Sequence, residues 1–310
     1  MVEPLGFVRI WDRYLSYTPK RNSVVLCDLA TGRTAEVARA KAPGEMFDYA
    51  VGSGDKVVYA VLSGVPNADR PVPVKWRLEV LDLGSGKRRR LDEFSVTYAG
   101  VPRPMAAGRW VLWTRPTVSG TSVVTFDHRT GRTRIVASGE RKAGNAGVSE
   151  GGLVAFDGEG PSGSRQVFVT PADGTGAARP ITDHAAVRPI AVANGRVAWR
   201  DTPAGGPEQR WTTAIGSDEP PRSVDAMARV VPGADFMVAE VPVEGDLPRL
   251  AVHDVNRPGT SWPLLPENER VDLGSYWDVS GDLIAWVSIE LDSAGQVKRH
   301  LRLARVVRGP

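Results

Sequence analysis

Three arginines precede or open apolar segments in different parts of the chain, namely Arg103, Arg188 and Arg229. A guanidinium group binds carboxylate or phosphate through paired N–H donors. If the fold brings these three groups together around a central axis, they repel each other unless an anion lies between them or carboxylates such as Asp48 and Asp278 face them. These residues predict an anion-binding site. The alternative is that the arginines brace neighbouring elements or lie on an outer rim.

Aromatic and polar residues occur at corresponding positions of other segments. Tyr49, Tyr276 and Trp277 would give the site an apolar wall. His184 also precedes an apolar segment, and it is either a general base at the mouth of the site or an exposed loop histidine. The complete set of candidate ligand-binding residues is Asp48, Tyr49, Arg103, Asn145, His184, Arg188, Arg229, Tyr276, Trp277 and Asp278.

The sequence contains no contiguous catalytic motif. It has no phosphate-binding loop, no dinucleotide-type glycine motif, no His-Glu-x-x-His and no cysteine pair. The four histidines fall in different repeats of the chain. The sequence therefore assigns no catalytic residue, and we expect neither a metal nor another cofactor.

A repeated turn indicates which elements position the candidate residues. Turns that begin with Asp and end with Gly and a basic residue run from Asp28 to Arg33, from Asp82 to Lys87 and from Asp127 to Arg132. A weaker copy begins at Asp173. Recurrence at about 40–53 residues is typical of a propeller, in which one small sheet cannot bury its own faces.

Seven segments are apolar almost without alternation, as expected of a strand that is covered on both faces. They are Arg13–Thr18, Lys56–Leu62, Arg109–Thr114, Leu153–Phe156, Arg196–Trp199, Phe236–Val241 and Leu283–Val287. Most of them carry an aromatic residue near the end, which we interpret as a packing wedge between blades. Candidate inner strands precede them, for example Met46–Val51, Ile190–Ala193 and Tyr276–Val279.

These segments predict an all-β, seven-bladed β-propeller of four-stranded antiparallel blades that forms a single domain over residues 1–310. The degenerate fifth and sixth repeats leave a six-bladed ring as the alternative. The seventh repeat lacks a fourth strand, so Val2–Leu5 would close the ring as that strand. The second repeat carries a proline-rich insertion, Ser63–Lys75, which is predicted to be a loop.

Composition and charge exclude several classes of protein. The hydrophobic content of 42% is enough for a large core, and the net charge of +3 does not indicate a nucleic-acid-binding protein. The one dense basic run, Lys87–Arg90, is interpreted as a solvated hairpin edge.

Cys27 is expected to be a buried, inert thiol. No segment has the length of a membrane span. We expect a cytoplasmic monomer, or a secreted or periplasmic protein if an export signal has been removed.

The strand Val123–Asp127 running into Thr130-Gly131-Arg132 resembles the TolB-like, or PD40-type, β-propellers. The resemblance covers nearly the whole chain but rests on a short turn motif. It implies a propeller fold and a role either as a platform for protein partners or as a lid in front of a peptidase domain. The chain departs from the related oligogalacturonate lyases, since its histidines do not fall where a metal site would need them.

Two functions follow as hypotheses. The first is a binding or scaffold propeller that recognises a protein partner or a small anionic or aromatic ligand at its axial funnel. The alternative is a cofactor-independent small-molecule enzyme, such as a lyase, isomerase or cyclase, with its site in the same funnel. The Ala-, Arg-, Gly- and Val-rich composition is typical of a high-GC bacterium, in which such an enzyme would serve specialised biosynthesis.

Overall fold

The structure is a computed structural model. It describes residues 7–64, 73–97, 104–139, 143–182, 186–193, 195–201, 209–214, 220–224, 230–233, 235–241, 243, 249–257, 259–265, 270–271, 277–291 and 297–307.

Strands account for nearly all regular structure in these residues. They form seven antiparallel four-stranded sheets arranged as the blades of a ring, which confirms the predicted seven-bladed propeller and excludes the six-bladed alternative. The one exception is a short 3₁₀ helix, η1 (Pro19–Arg21). No helix in the described part of the chain has the length and apolar character needed to cross a membrane.

The first four blades follow chain order from the axis outward. Their strands are β1 (Arg9–Trp11), β2 (Tyr14–Tyr17), β3 (Ser23–Asp28), β4 (Arg33–Arg39), β5 (Glu45–Ser53), β6 (Lys56–Ser63), β7 (Pro73–Asp82), β8 (Arg88–Thr97), β9 (Met105–Ala107), β10 (Trp110–Thr117), β11 (Gly120–Asp127), β12 (Arg132–Ala137), β13 (Ala146–Val148), β14 (Leu153–Glu159), β15 (Arg165–Pro171) and β16 (Arg179–Pro180).

The fifth and sixth blades continue the same order, and the seventh blade departs from it as described below. Their strands are β17 (Ala186–Ala193), β18 (Arg196–Asp201), β19 (Gln209–Ala214), β20 (Arg222–Val224), β21 (Val230–Pro232), β22 (Phe236–Val241), β23 (Arg249–Asp254), β24 (Ser261–Pro263), β25 (Arg270–Val271), β26 (Trp277–Ser280), β27 (Leu283–Leu291) and β28 (Val297–Arg305).

Within the described residues, each of seven buried apolar cores lies between two neighbouring blades. The core between the first and seventh blades joins Ile10 and Leu15 to Ala285 and Val287. The backbone N–H of Ile10 also donates to Asp278 Oδ2 at 3.2 Å. These contacts bring the ends of the ring together. Cys27 packs at the edge of this core and is half-buried, which is less burial than the sequence predicted.

The Asp–Gly turns are built as the sequence predicts. Asp28 Oδ1 accepts the backbone N–H of Ala30 at 3.0 Å, and the N–H of Gly32 bonds to the Asp28 carbonyl at 2.7 Å. Gly32 has a φ of +68°, a conformation that favours glycine. The sixth repeat keeps this device, because Asp254 Oδ1 accepts the N–H of Asn256 at 2.7 Å.

The second blade has longer strands than its proline-rich insertion suggested. Ser63 at the end of β6 pairs with Lys75, and β7 already begins at Pro73. The prediction of a loop over Ser63–Lys75 is therefore wrong at both ends. Residues 65–72 lie outside the described part of the chain.

The basic run at Lys87–Arg90 is exposed and opens β8, the outermost strand of its blade. Two of its side chains also connect blades. Arg88 Nη2 donates to the carbonyl of Val37 in the first blade at 2.7 Å. Arg89 Nη2 donates to the carbonyl of Gly131 in the third blade at 3.3 Å.

The seventh blade is arranged differently from the others. Its strands β25 and β26 pair with the same edge of β27, while β28 pairs with the opposite edge. In the part of the chain that the structure describes, no strand pairs with the outer edge of β28. The predicted closing strand, Val2–Leu5, lies outside the described residues.

Candidate functional site

The candidate residues that the structure describes lie toward the end of the ring at which the inner strands begin, here called the front face. Asp48 and Tyr49 are in β5, Arg188 is in β17, and Asn145 directly precedes β13. Trp277 and Asp278 open β26. Arg103, His184, Arg229 and Tyr276 lie outside the described residues, and only the backbone of Tyr49 and Arg188 is described.

The inner strand of the second blade is irregular where the sequence placed two candidates. Phe47 pairs with Val61, and Ala50 pairs with Tyr59. Asp48 and Tyr49 therefore stand together opposite Ala60. Two residues facing one residue form a β-bulge, which bends the strand and redirects its side chains.

The fifth blade has a similar irregularity. Val187 pairs with Arg200 and Ala191 pairs with Ala198, so three inner-strand residues, Arg188 among them, face Trp199 alone. Ala60 is the fifth residue of β6, and Trp199 is the fourth residue of β18. The two irregularities are therefore nearly level along the axis.

In the seventh blade two strands, β25 and β26, share the inner edge of β27. The break between them lies at the same height along the axis as the two irregularities above. Val271 of β25 pairs with Ser288, and Trp277 of β26 pairs with Trp286. Val287, the fifth residue of β27, therefore has no inner-strand partner among the described pairs. Three blades depart from regular inner pairing at one level, close to Asp48, Arg188 and Trp277.

Asp48 is held by an arginine from the neighbouring blade. Arg21 Nη2 donates to Asp48 Oδ1, and Arg21 Nε donates to the carbonyl of Phe47 at 3.2 Å. The Arg21 guanidinium also lies over the ring of Phe7, 5.6 Å from its centroid. The Asp48 side chain is 11% exposed, whereas that of Arg21 is 40% exposed. Remaining N–H groups of Arg21 can therefore bind an anion from solvent.

Sequence reasoning missed Arg21 because the residue belongs to the first blade, in the loop between β2 and β3. The sequence offered one signal for Arg21: it is a basic residue in the short segment Pro19-Lys20-Arg21, which follows a middle strand. Only the packing of the first blade against the second brings that turn to Asp48.

A second ion pair lies beside Asn145. Arg165 Nη2 contacts Asp157 Oδ2 at 2.7 Å, and the Asp157 side chain is 1% exposed. The backbone N–H of Asp157 donates to the Asn145 carbonyl at 3.0 Å, and the N–H of Gly144 donates to the Asp157 carbonyl at 2.9 Å. A Cβ on Gly144 would lie 2.3 Å from Asp157 Oδ1. Gly144 thus leaves the space that this buried pair occupies.

Glu45 fixes the chain that enters the second blade. Its Oε2 accepts the backbone N–H groups of Lys41 at 2.9 Å and Ala42 at 3.3 Å, and Oε1 lies 3.4 Å from Arg77 Nη1. The bond from Lys41, helped by Ala42 and Arg77, lowers the pKa of the Glu45 carboxyl below its usual value. The start of β5 is held by an ionised carboxylate.

Trp277 and Asp278 make contacts between blades. Trp277 is 1% exposed in the core between the sixth and seventh blades, and its Nε1 donates to Glu240 Oε1 at 2.8 Å. Asp278 accepts the N–H of Ile10, as described above. The structure therefore gives both residues a structural contact at the front face. Over the described ranges, no group of three His, Cys, Asp or Glu side chains is placed to hold a metal ion.

No protein-family model matches the chain, and no curated protein matches it in sequence. Solved structures do match. The β-propeller domain of the Trilobed protease from Pyrococcus furiosus, which has an open velcro topology, superposes with a TM-score of 0.65 at 11% identity, over 99% of this chain and 97% of that chain.

Two further structures are similar over most of the chain. The acylaminoacyl peptidase of Pyrococcus horikoshii matches with a TM-score of 0.57 at 12% identity, over 93% of this chain and 51% of that chain. This chain therefore spans about half of that peptidase. An oligogalacturonate lyase from Vibrio parahaemolyticus matches with a TM-score of 0.55 at 12% identity, over 95% and 91% of the two chains. Such identities show the fold alone. The chain has the seven-bladed β-propeller fold that its repeated strands and turns predicted.

Proposed function

We propose that this protein is a binding propeller that recognises a protein partner or a small anionic ligand at its front face. One observation carries the proposal: the second, fifth and seventh blades depart from regular inner-strand pairing at one level. Bulged and interrupted strands occur preferentially beside binding and active sites, because they redirect side chains and free backbone groups.

The charges at this face favour an anion. Arg21 keeps part of its guanidinium exposed beside Asp48, and Arg188 lies in the irregular part of β17. Propellers of this fold occur in peptidases and in a lyase, so the fold by itself does not choose the function. The proposal therefore depends on the side chains of the front face.

The test measures thermal stability of the full chain with small carboxylates, phosphates and aromatic acids. A ligand that binds only the folded state raises the melting temperature, and the rise grows with the logarithm of 1 + L/Kd, where L is the free ligand concentration. We expect a hit whose effect is abolished in Arg21→Ala and Arg188→Ala, and reduced in Arg103→Ala and Arg229→Ala. The matched control is Arg33→Ala, at an exposed arginine that opens β4, and this substitution should leave the shift unchanged.

Two results would overturn the proposal. If no anion or acidic peptide changes the melting temperature of the wild-type chain, the irregular inner strands have only a structural role in the ring. If a compound binds and is chemically converted on incubation, the protein is the cofactor-independent enzyme that the sequence left as the alternative.

A further inference from the structure

A second concentration of arginines lies at the opposite end of the ring, the turn face, where the Asp–Gly turns are. Between the third and fourth blades a cleft of about 150 Å³ opens there. Its lining residues are Arg109, Trp110, Thr125, Asp127, Arg129, Thr130, Arg132, Arg134 and Asp173. We call it the arginine cleft. It does not include any residue of the front-face site.

The arginine cleft has an excess of positive charge. Four arginines against two aspartates leave a formal charge of +2. Arg109 is the one arginine of the four with a carboxylate partner among the described residues, at 3.7 Å from Asp127 Oδ2. Arg129, Arg132 and Arg134 make no side-chain hydrogen bond or ion pair with any residue that the structure describes.

The two carboxylates are engaged by their own turns. Asp127 Oδ1 accepts the backbone N–H groups of Arg129 at 2.9 Å and Thr130 at 3.4 Å. Asp173 Oδ1 accepts the N–H of Thr175 at 3.0 Å and its hydroxyl at 2.7 Å. These bonds to Thr175, helped by the charge of Arg134, lower the pKa of the Asp173 carboxyl. Both aspartates shape the turns, and two of the four arginine charges have no aspartate in the cleft to balance them.

Strand register brings two of the arginines to one side. Arg132 pairs with Asp127 and Arg134 pairs with Thr125 across β11 and β12. Residues two apart on a strand point to the same face. Both guanidinium groups therefore lie on the side of β12 that faces the fourth blade, where one tetrahedral oxyanion can bind to both.

The floor of the arginine cleft consists of buried side chains that are held by contacts with their neighbours. Thr125 is 1% exposed, and its hydroxyl donates to the carbonyl of Ala172 in the fourth blade at 2.7 Å. Trp110 is buried below, and the Arg109 guanidinium lies 4.6 Å from the centroid of its ring. A preorganised site loses less entropy when it binds a ligand.

The equivalent turn of the first blade lacks this arrangement. In the first blade Arg33 occupies the position of Arg132, but Ala35 stands opposite Leu26 where the third blade has Arg134 opposite Thr125. The turn motif by itself therefore explains one basic residue in each of the first three blades, Arg33, Lys87 or Arg132. The second blade does carry an arginine at the position of Arg134, namely Arg89 opposite Val80. Its guanidinium, however, donates to the carbonyl of Gly131 and lies over the Phe126 ring, whereas the Arg134 side chain makes no hydrogen bond to a described residue.

We propose that the arginine cleft binds a phosphate-sized oxyanion through Arg129, Arg132 and Arg134, either free in solution or carried as a phosphate monoester. Arginine suits this role because its planar group binds two oxygens of a phosphate at once. The site is independent of the front-face site, so either proposal can fail without the other.

The experiment is isothermal titration calorimetry of the full chain with inorganic phosphate, against chloride at equal ionic strength. We expect saturable binding that weakens at least tenfold in the double variant Arg132→Ala/Arg134→Ala. Arg33→Ala, the matched position in the first blade, should bind as the wild type does. The variant Arg132→Lys/Arg134→Lys keeps the charge and should bind with intermediate affinity, which guards against a folding defect.

Phosphoserine distinguishes the two sources of the anion. Equal affinity for phosphoserine and inorganic phosphate supports a phosphate monoester on a larger ligand, and binding of inorganic phosphate alone supports the free ion. The proposal is wrong if the wild type shows no saturable binding at millimolar phosphate, or if Arg33→Ala loses as much affinity as the double variant.

Discussion

One residue position in each middle strand determines how neighbouring blades pack. The fourth residue is aromatic in six blades, where Tyr17, Tyr59, Trp113, Phe156, Trp199 and Trp286 occupy it. In the sixth blade the same position is Ala239. These side chains lie in the cores against the preceding blade, and all except Tyr17 are at most 5% exposed. The predicted role as packing wedges is confirmed.

Replacing one wedge should cost much of the stability. Trp113 is 1% exposed between the second and third blades, and its Nε1 donates to Asp92 Oδ2 at 2.8 Å. We expect Trp113→Ala to lower the free energy of unfolding by about 3–5 kcal/mol, because the cavity cannot fully collapse. Urea denaturation measures this change in the free energy of unfolding. Trp262→Ala, at a half-exposed position on β24, is the control and should change the same quantity by less than about 1 kcal/mol.

Acid should weaken the fold through the turn carboxylates. Lys56 Nζ lies 2.8 Å from Asp82 Oδ2, and the N–H of Ser85 donates to Oδ1 at 2.7 Å. The bond from Lys56 first, and then those from Ser85, lower the pKa of Asp82. A carboxyl with a lowered folded-state pKa stabilises the fold above its unfolded pKa, and this contribution is lost as the pH falls through the folded pKa.

The melting temperature should therefore fall as the pH drops below about 4, the ordinary pKa of an aspartate. Asp82→Asn removes one titrating group, so its melting temperature should depend less steeply on pH in this range than that of the wild type. An unchanged slope in Asp82→Asn would contradict this assignment. The measurement is a series of thermal melts between neutral and acidic pH.

The inner strands combine close packing with local irregularity. Their register shifts in the second and fifth blades, near the candidate residues, while elsewhere the inner strands of adjacent blades approach closely. A Cβ on Gly147 in β13 would lie 2.5 Å from Val192 Cβ in β17. Only glycine permits this approach between the fourth and fifth blades.

Gly147→Ala should separate these two strands or strain their backbones. We expect it to lower the free energy of unfolding by about 1–3 kcal/mol, as overpacking of a core does. Gly151→Ala is the matched control in the same blade, since its Cβ would meet nothing nearer than Ser149 Oγ at 3.9 Å. Equal effects of the two substitutions in chemical denaturation would show that the close approach is unimportant.

The whole ring depends on how the first and seventh blades meet. Their shared core contains Val8, Ile10 and Leu15 on one side and Ala285 and Val287 on the other. The outer edge of β28 has no partner strand among the described residues. The sequence predicted that Val2–Leu5 would cover it, and this stays a prediction.

Deleting residues 1–6 tests that prediction. An uncovered strand edge loses hydrogen bonds and becomes a template for pairing with other chains. We expect the shortened chain to melt several degrees lower and to self-associate, as measured by thermal melts and light scattering. Removing Gly309 and Pro310 is the control. A shortened chain that melts like the wild type would show that the ring closes without Val2–Leu5.

The amino-acid sequence by itself predicted most of the strands, the turns and a ring of seven blades, with six blades as the alternative. These features depend on short-range patterns: continuous apolar segments, an aromatic residue near the end of most of them, and Asp and Gly at a fixed spacing. A local device such as the bond from Asn256 to Asp254 forms within a few residues, even where the motif looked degenerate.

Only the tertiary structure decided which side chains meet. The bulge at Asp48 and Tyr49 is a property of two paired strands, so a single strand's pattern does not show it. Arg21 reaches Asp48 from another blade. The arginine cleft likewise requires the register of β12 and the approach of Asp173 from the fourth blade. Contacts between distant segments depend on how whole blades pack, and that packing is spread over buried residues in every repeat.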